Sequence, residues 1–165
     1  MAPDRPQLVL PTLAFGMVEV RRLARELEAV VDYFEQTTLR SPGSQVAAPK
    51  VSRLLDTLAR ENHLNLLHTA ERQLLVNFLQ QVIQSAPQIH ISFAADPSSA
   101  FTAKVVQWLR SNIHPYMLLQ LGLQPSIAAG CIVRTSNHVF DFSLRQHFAN
   151  QRELLLQGLR GGPQA

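Results

Sequence analysis

LGLQPSIAAGCIVRTSNHVFDFSL, running from Leu121 to Leu144, is the stretch that decides the fold. An apolar run ends near Leu123, and the proline and small residues from Pro125 to Gly130 kink the chain. A second apolar run follows from Ala129 to Thr135. Ser136-Asn137-His138 has the composition of a tight turn, and Val139 to Phe142 pairs back as a hairpin. Ser143 then stands where a helix cap belongs, at the head of a last helix with Leu144, Phe148, Leu155 and Leu159 inward.

Upstream, Tyr116 to Leu123 reads as a buried strand. The pattern between Pro87 and Phe93 is also strand-like, because Ile89, Ile91 and Phe93 alternate with His90 and Ser92. Asp96-Pro97 supplies a cap and a first-turn proline for a helix to about Asn112, with Phe101, Val105, Trp108, Leu109 and Ile113 at helical spacing. Trp108 and Phe101 are taken as core. Pro115 blocks continuation of that helix. The second half is therefore βαβββα, an α+β domain over 87–160 with a loose tail at 161–165.

Residues 1–86 read as an N-terminal helical domain. Leu13, Met17, Val20, Ala24, Leu27, Val31 and Phe34 recur every three or four positions, which predicts an amphipathic helix over about 13–38. RSPGSQVAAP, from Arg40 to Pro49, is a connection. A second helix is expected over about 49–61, with Pro49 near its first turn and Val51, Leu54, Leu55 and Leu58 inward. After a turn from Asn62 to His68, Thr69 is the expected cap of a third helix over 69–85. Its inward residues are Leu74, Leu75, Phe78, Leu79, Val82 and Ile83.

Composition narrows the function classes. Apolar residues make up 46% of the 165 and charged residues 16%, so the chain folds around a core or an interface. The net charge is +3, and all of that surplus lies after Ala86, where six basic residues face three acidic ones. Lysine occurs only at Lys50 and Lys104, and no basic cluster marks a nucleic-acid surface. The lone Cys131 excludes an internal disulfide and a cysteine zinc site, and points to a reducing compartment. The first residues resemble neither a signal nor a transit peptide, and no run reaches the length of a membrane span. A cytoplasmic protein, at most peripheral to a membrane, is expected.

Catalytic patterns are sparse. The histidines at 63, 68, 90, 114, 138 and 147 include no i, i+4 pair with a nearby acid, so they read as turn or surface residues. Cys131 reads as a buried, inert thiol. Ser143, His147 and Asp141 have the residue types of a hydrolase triad, but no nucleophile elbow accompanies them. No phosphate loop or dinucleotide fingerprint occurs. The expectation is a non-catalytic protein without cofactor or metal that binds other proteins.

The order of residue types resembles the C-terminal domain of the delta subunit of F-type ATP synthase, the oligomycin-sensitivity-conferring protein family. Ile89-His90-Ile91-Ser92-Phe93-Ala94 fits that family's first strand. Pro125, Ile127 and Gly130 fit its D-P-x-L-I-G-G segment, and Ile132-Val133-Arg134 fits its V-V-R. Val139-Phe140-Asp141-Phe142-Ser143-Leu144 fits its close into the final helix, with Arg145 following. Pro125 to Ser143 aligns without a gap, and Pro125, Gly130, Arg134, Asp141 and Ser143 form the structural motif. Gln124, Ala129 and Phe142 depart from the family's Asp, first Gly and Gly. Phe142 implies either a position without positive φ or an additional packing role.

The resemblance covers about Gln88 to Leu156. Family members carry a six-helix N-terminal bundle, against three main helices read here, which implies a divergent bacterial version. It further implies a peripheral-stalk stator subunit supporting proton-driven ATP synthesis. Such a subunit receives the alpha-subunit N-termini on its bundle and the C-terminal region of the b subunit on its second part. It binds no nucleotide or nucleic acid and does not insert into the membrane. The alternative is a stand-alone helical adaptor or transcriptional regulator.

Overall fold

A computed structural model describes residues 8–40, 49–145, 148, 151, 152 and 156. The fold is α+β: among the described residues, four helices and a four-stranded mixed sheet, with the strands toward the C-terminus. Two compact units emerge, Met1–Pro87 with Ala103–Leu118, and Gln88–Thr102 with Leu119–Ala165. The first unit thus takes in a segment that the sequence pattern assigns to the second half.

In the first unit, helix α1 (Met17–Arg40) buries Val20, Leu23, Ala24, Leu27, Val30 and Phe34. It begins four residues after the expected Leu13. The Pro11 carbonyl accepts the Ala14 N–H in a turn at 2.9 Å, which leaves Leu13 outside the helix and 61% exposed. Helix α2 (Arg53–Glu61) also starts four residues late, because Ser52 rather than the region of Pro49 supplies its cap. The Ser52 hydroxyl accepts the Leu55 N–H at 3.2 Å. Glu26 of α1 fixes that cap in turn, accepting the Ser52 N–H at 2.5 Å and its hydroxyl at 2.7 Å. Leu55, Leu58 and Ala59 face inward, and Val51 and Leu54 pack partly buried against the core. The helix closes at His63, whose left-handed φ of 54° lets the Leu64 N–H reach the Ala59 carbonyl.

Helix α3 (Thr69–Ser85) has His68, not Thr69, at its cap position, without a side-chain cap bond. Glu71 reaches back instead, accepting the Asn65 N–H and lying 2.9 Å from the His68 ring nitrogen. The Thr69 hydroxyl is occupied as an acceptor for Arg72 at 3.0 Å. The core stripe is Leu75, Phe78, Leu79 and Val82; Leu74 falls off its border and is exposed.

The segment Leu8–Ala14 has no regular structure, yet Leu10, Pro11 and Ala14 are buried. Its backbone polar groups are met by side chains. Tyr116 Oη donates to the Leu8 carbonyl at 3.1 Å. Asn62 accepts the Val9 N–H at 2.6 Å and donates to the Val9 carbonyl at 2.9 Å. The Arg110 guanidinium donates to the carbonyls of Leu10 (2.6 Å), Pro11 (3.0 Å), Ala14 (2.7 Å) and Met117 (3.4 Å). These bonds draw residues 103–118 into the first unit.

Arg110 belongs to helix α4 (Ser99–Asn112), which follows strand β1 (Gln88–Phe93). Ser98 starts the helix, its hydroxyl accepting the Phe101 N–H at 3.3 Å, so Asp96-Pro97 lies ahead of the cap. The buried stripe of α4 is Thr102, Val106 and Leu109. Phe101, Trp108 and Ile113 were expected inward and are exposed, Trp108 at 60%, because the stripe is rotated away from their face.

The sheet of the second unit has the order β2-β1-β3-β4, with β2 at Leu118–Leu123, β3 at Cys131–Arg134 and β4 at Val139–Asp141. Strand β2 runs parallel to β1, since Leu118 N–H donates to Pro87 and Gln124 N–H to Phe93. Strand β3 is antiparallel to β1, with His90 opposite Arg134 and Phe93 opposite Cys131. It forms the expected hairpin with β4, with Arg134 opposite Val139. Leu144 and Phe148, expected inward on a last helix, are exposed. Leu155, Leu159, His147 and the tail at 161–165 lie outside the described residues.

Hydrogen bonds to a charged donor contribute about 1.5–3 kcal/mol each, and losing one partner strands the buried acceptors. Arg110→Met is expected to lower the unfolding free energy by about 2–4 kcal/mol in urea denaturation. Arg110→Lys should recover less than half of that loss, because an ammonium cannot span the same carbonyls.

Candidate functional site

Each unit carries one candidate surface. In the second unit, the kink between β2 and β3 is a 3-10 turn at Pro125–Ile127 followed by a γ-turn. Ala128 sits at φ 65°, ψ −53°, and the Ala129 N–H reaches the Ile127 carbonyl at 2.9 Å. This is a sparsely populated conformation for a residue with a Cβ. Gly130 follows at φ 92°, and a Cβ there would overlap the Phe142 carbonyl oxygen. The backbones of Gly130 and Phe142 therefore approach closely. Phe142 is not among the described residues with positive φ, which are His63, Ala128 and Gly130.

This packing brings the end of the hairpin back over the kink. The Phe142 N–H donates to Cys131 and the Leu144 N–H to Ala129, both at 2.9 Å. Asp141 accepts the Ser143 N–H at 2.8 Å and its hydroxyl as well. These two bonds, hydroxyl first, hold its carboxyl below the usual range, with the charge of Arg145 adding to them. Ser143 is buried.

Of the five motif residues, Asp141 and Ser143 line a polar hollow of about 320 Å³ together with Gln124, Ser126, Ile127, Ile132 and Arg145. Pro125 opens the turn at its rim, and Gly130 sits beneath the hairpin. Arg134 is not brought to the hollow. It ends β3, exposed and opposite His90 and Val139.

The titratable groups of this unit are engaged in structure. Asp141 and Ser143, two of the triad types, bind each other across the turn. Cys131 is half-buried, and burial pushes its thiol up, away from the thiolate. The fold also forms a serine–histidine pair: His90 Nε2 lies 3.1 Å from Ser92 Oγ on one face of β1. The i, i+2 spacing on a strand was its only signal. Gly122 on β2 makes room for it, since a Cβ there would lie 2.6 Å from His90 Nε2. Ser92 is buried, so the pair fills space between strands and offers no open nucleophile. Among the described residues, no three of His, Cys, Asp and Glu converge as a metal set.

In the first unit, a groove of about 380 Å³ runs between α1 and α2 and along the turn before α3. Val30, Phe34, Val51, Ala59, Leu64 and Leu66 give it an apolar wall. Asp56 and Arg60, paired at 3.1 Å, stand at its polar rim. A second hollow of about 420 Å³ adjoins Phe34 on the side of Thr38, Leu39 and Thr69. Arg72 supports Phe34 from below, its guanidinium 4.2 Å from the ring centroid. The same guanidinium donates to the carbonyls of Leu66 and Leu67 at 2.8 and 2.9 Å. Burial lowers its affinity for the proton, and the charge of Glu35 opposes that shift. The sequence disclosed the apolar stripe of α1 but not this groove, which depends on where the turn at Leu64–Leu67 lies.

Gly130→Val is expected to cost about 2–4 kcal/mol in denaturant unfolding, through strain and overlap, whereas Ala128→Gly should stabilise by about 0.5–1 kcal/mol. Because Asp141 has a depressed folded pKa, its contribution is complete above about pH 4 and disappears as pH falls through the lower folded value. Asp141→Asn should therefore flatten the acid limb of a stability–pH profile below about pH 4 and leave its neutral-to-alkaline shape unchanged.

No protein-family model matches the chain, and no curated protein matches it in sequence.

Proposed function

We propose that this chain is a stator subunit of an F-type ATP synthase, of the delta kind. It tethers the catalytic head to the peripheral stalk during proton-driven ATP synthesis and catalyses no step itself. One observation carries the reading. The residue order from Pro125 to Ser143 follows the delta pattern without a gap, and its Gly130 occupies a conformation and a space that admit only glycine. The α+β order, helices first, is compatible with it.

The apolar groove of the first unit suits an amphipathic helix laid between α1 and α2. In this reading that helix is the N-terminus of an alpha subunit. The C-terminal region of the b subunit binds the second unit, and the chain works at the cytoplasmic face of the membrane as a peripheral protein. No helix among the described residues is long and apolar enough to cross a membrane.

A second reading is favoured by the first unit. Among the described residues, helices α1, α2 and α3 are the ones that lie wholly within it, fewer than the six of the family's bundle. A stand-alone adaptor or transcriptional regulator would use the same groove for a different helix.

Affinity capture of the tagged chain from its native cells separates the two. Co-elution of the alpha and b subunits is expected, and recovery of neither refutes the stator reading. Leu67→Glu, at an exposed position lining the groove, should weaken capture of alpha at least tenfold and leave the circular dichroism spectrum unchanged.

A further inference from the structure

Strand β4 is the outer strand of the sheet, and its free edge is unusually bare. In the β3–β4 ladder the hydrogen-bonded pairs include Cys131 with Phe142 and Thr135 with His138, so Phe140 also turns its backbone toward β3. Val139 and Asp141 consequently direct their N–H and C=O groups away from the sheet, where no described residue meets them. Sheet edges are usually protected by shortness, charge, proline or a bulge; Val139–Asp141 is short and carries the one charge of Asp141, with no lysine or proline.

The side chains repeat the pattern. Across the sheet, Ile91, Val133 and Phe140 form one row and Phe93, Cys131 and Phe142 the next. Ile91 is buried, whereas at the edge Phe140 is 46% and Phe142 64% exposed. Their rings lie stacked at 6.3 Å, and His138 packs edge-on against Phe140 at 5.9 Å.

The geometry points to a second copy of this chain as the occupant of the edge, with the two β4 strands antiparallel about a two-fold axis at Phe140. In that register Val139 of one copy faces Asp141 of the other, and the outward groups of the two residues exchange hydrogen bonds, four across the interface. On the aromatic face Phe140 meets its own symmetry mate, and Phe142 meets His138. No like charges stand directly opposite, because Asp141 faces Val139. The exposed parts of Val139, Phe140 and Phe142 amount to on the order of 350 Å² per copy, so the joint interface stays under about 1,000 Å². That is the size of a weak, reversible dimer with a dissociation constant on the order of 100 µM. The pairing rests on the sheet edge and does not depend on the stator reading.

Sedimentation velocity on the full chain from about 1 to 300 µM should show a concentration-dependent monomer–dimer equilibrium. The register gives a sharper readout. In a Cys131→Ser background, Phe140→Cys places two thiols across a non-hydrogen-bonded pair with Cα atoms about 4.5 Å apart, within disulfide reach. Mild oxidation should yield a covalent dimer, whereas Leu123→Cys, at a more exposed position, should yield at least tenfold less. Val139→Pro removes only an outward N–H and should leave a folded monomer at every concentration. A chain that stays monomeric throughout, or equal cross-linking at both cysteine positions, overturns the proposal. So does a dimer that persists with Val139→Pro. Should that variant fail to fold, the cysteine pair decides.

Discussion

The first unit depends on one half-buried cation, Arg110. Arg110 loses much of its hydration, and that burial pushes its guanidinium down to about 10, with the charge of Glu61 opposing the shift. It remains charged at neutral pH, and its donors are spent on four main-chain carbonyls, with no described carboxylate within ion-pair distance. The planar fork of arginine suits that task, because carbonyls converging from a loop and a strand start need several donors at fixed angles. Without it, the carbonyls of Leu10 and Ala14 in this loop would lose their partner among the described residues.

The second unit is organised by the absence of side-chain atoms. Gly130 lets the hairpin end cross over the kink, and Gly122 lets the His90–Ser92 pair lie against β2. Both glycines admit a polar group close to a neighbouring strand, so the sheet holds its register through steric fit as well as through its ladders. Asp141 then locks the far end by binding the residue that follows Phe142. The strained γ-turn at Ala128 is tolerated because the contacts on either side leave the chain no other route.

Periodicity made the elements legible and their faces less so. The stripe of α1, the strand alternation of β1 and the polar turn at residues 136–138 announced the fold class and element order. Helix starts slipped by two to four residues at Leu13, Pro49 and Asp96-Pro97, because the competing cap residues Ser52 and Ser98 give weaker signals than a proline. Helical spacing points Trp108 and Phe101 inward, while the small buried Thr102 and Val106 set the true stripe. Gly130 was legible because its role is local. The carbonyl cage of Arg110 and the groove beside Phe34 were not, since they join residues far apart in sequence with no pattern of their own.

Those long-range bonds also govern the order of events during synthesis. The partners of the Leu8–Ala14 segment on Arg110 and Tyr116 lie 96 to 108 positions downstream. The bonds from Arg110 and Tyr116 to this segment can form only after residues 110–117 have been made. The three helices between are made first, and their apolar faces wait with one side open until residues 110–117 emerge. The Leu8–Ala14 segment is a strip fastened by donors from residues 110–117, so its full set of bonds waits on translation past the first strand of the next unit.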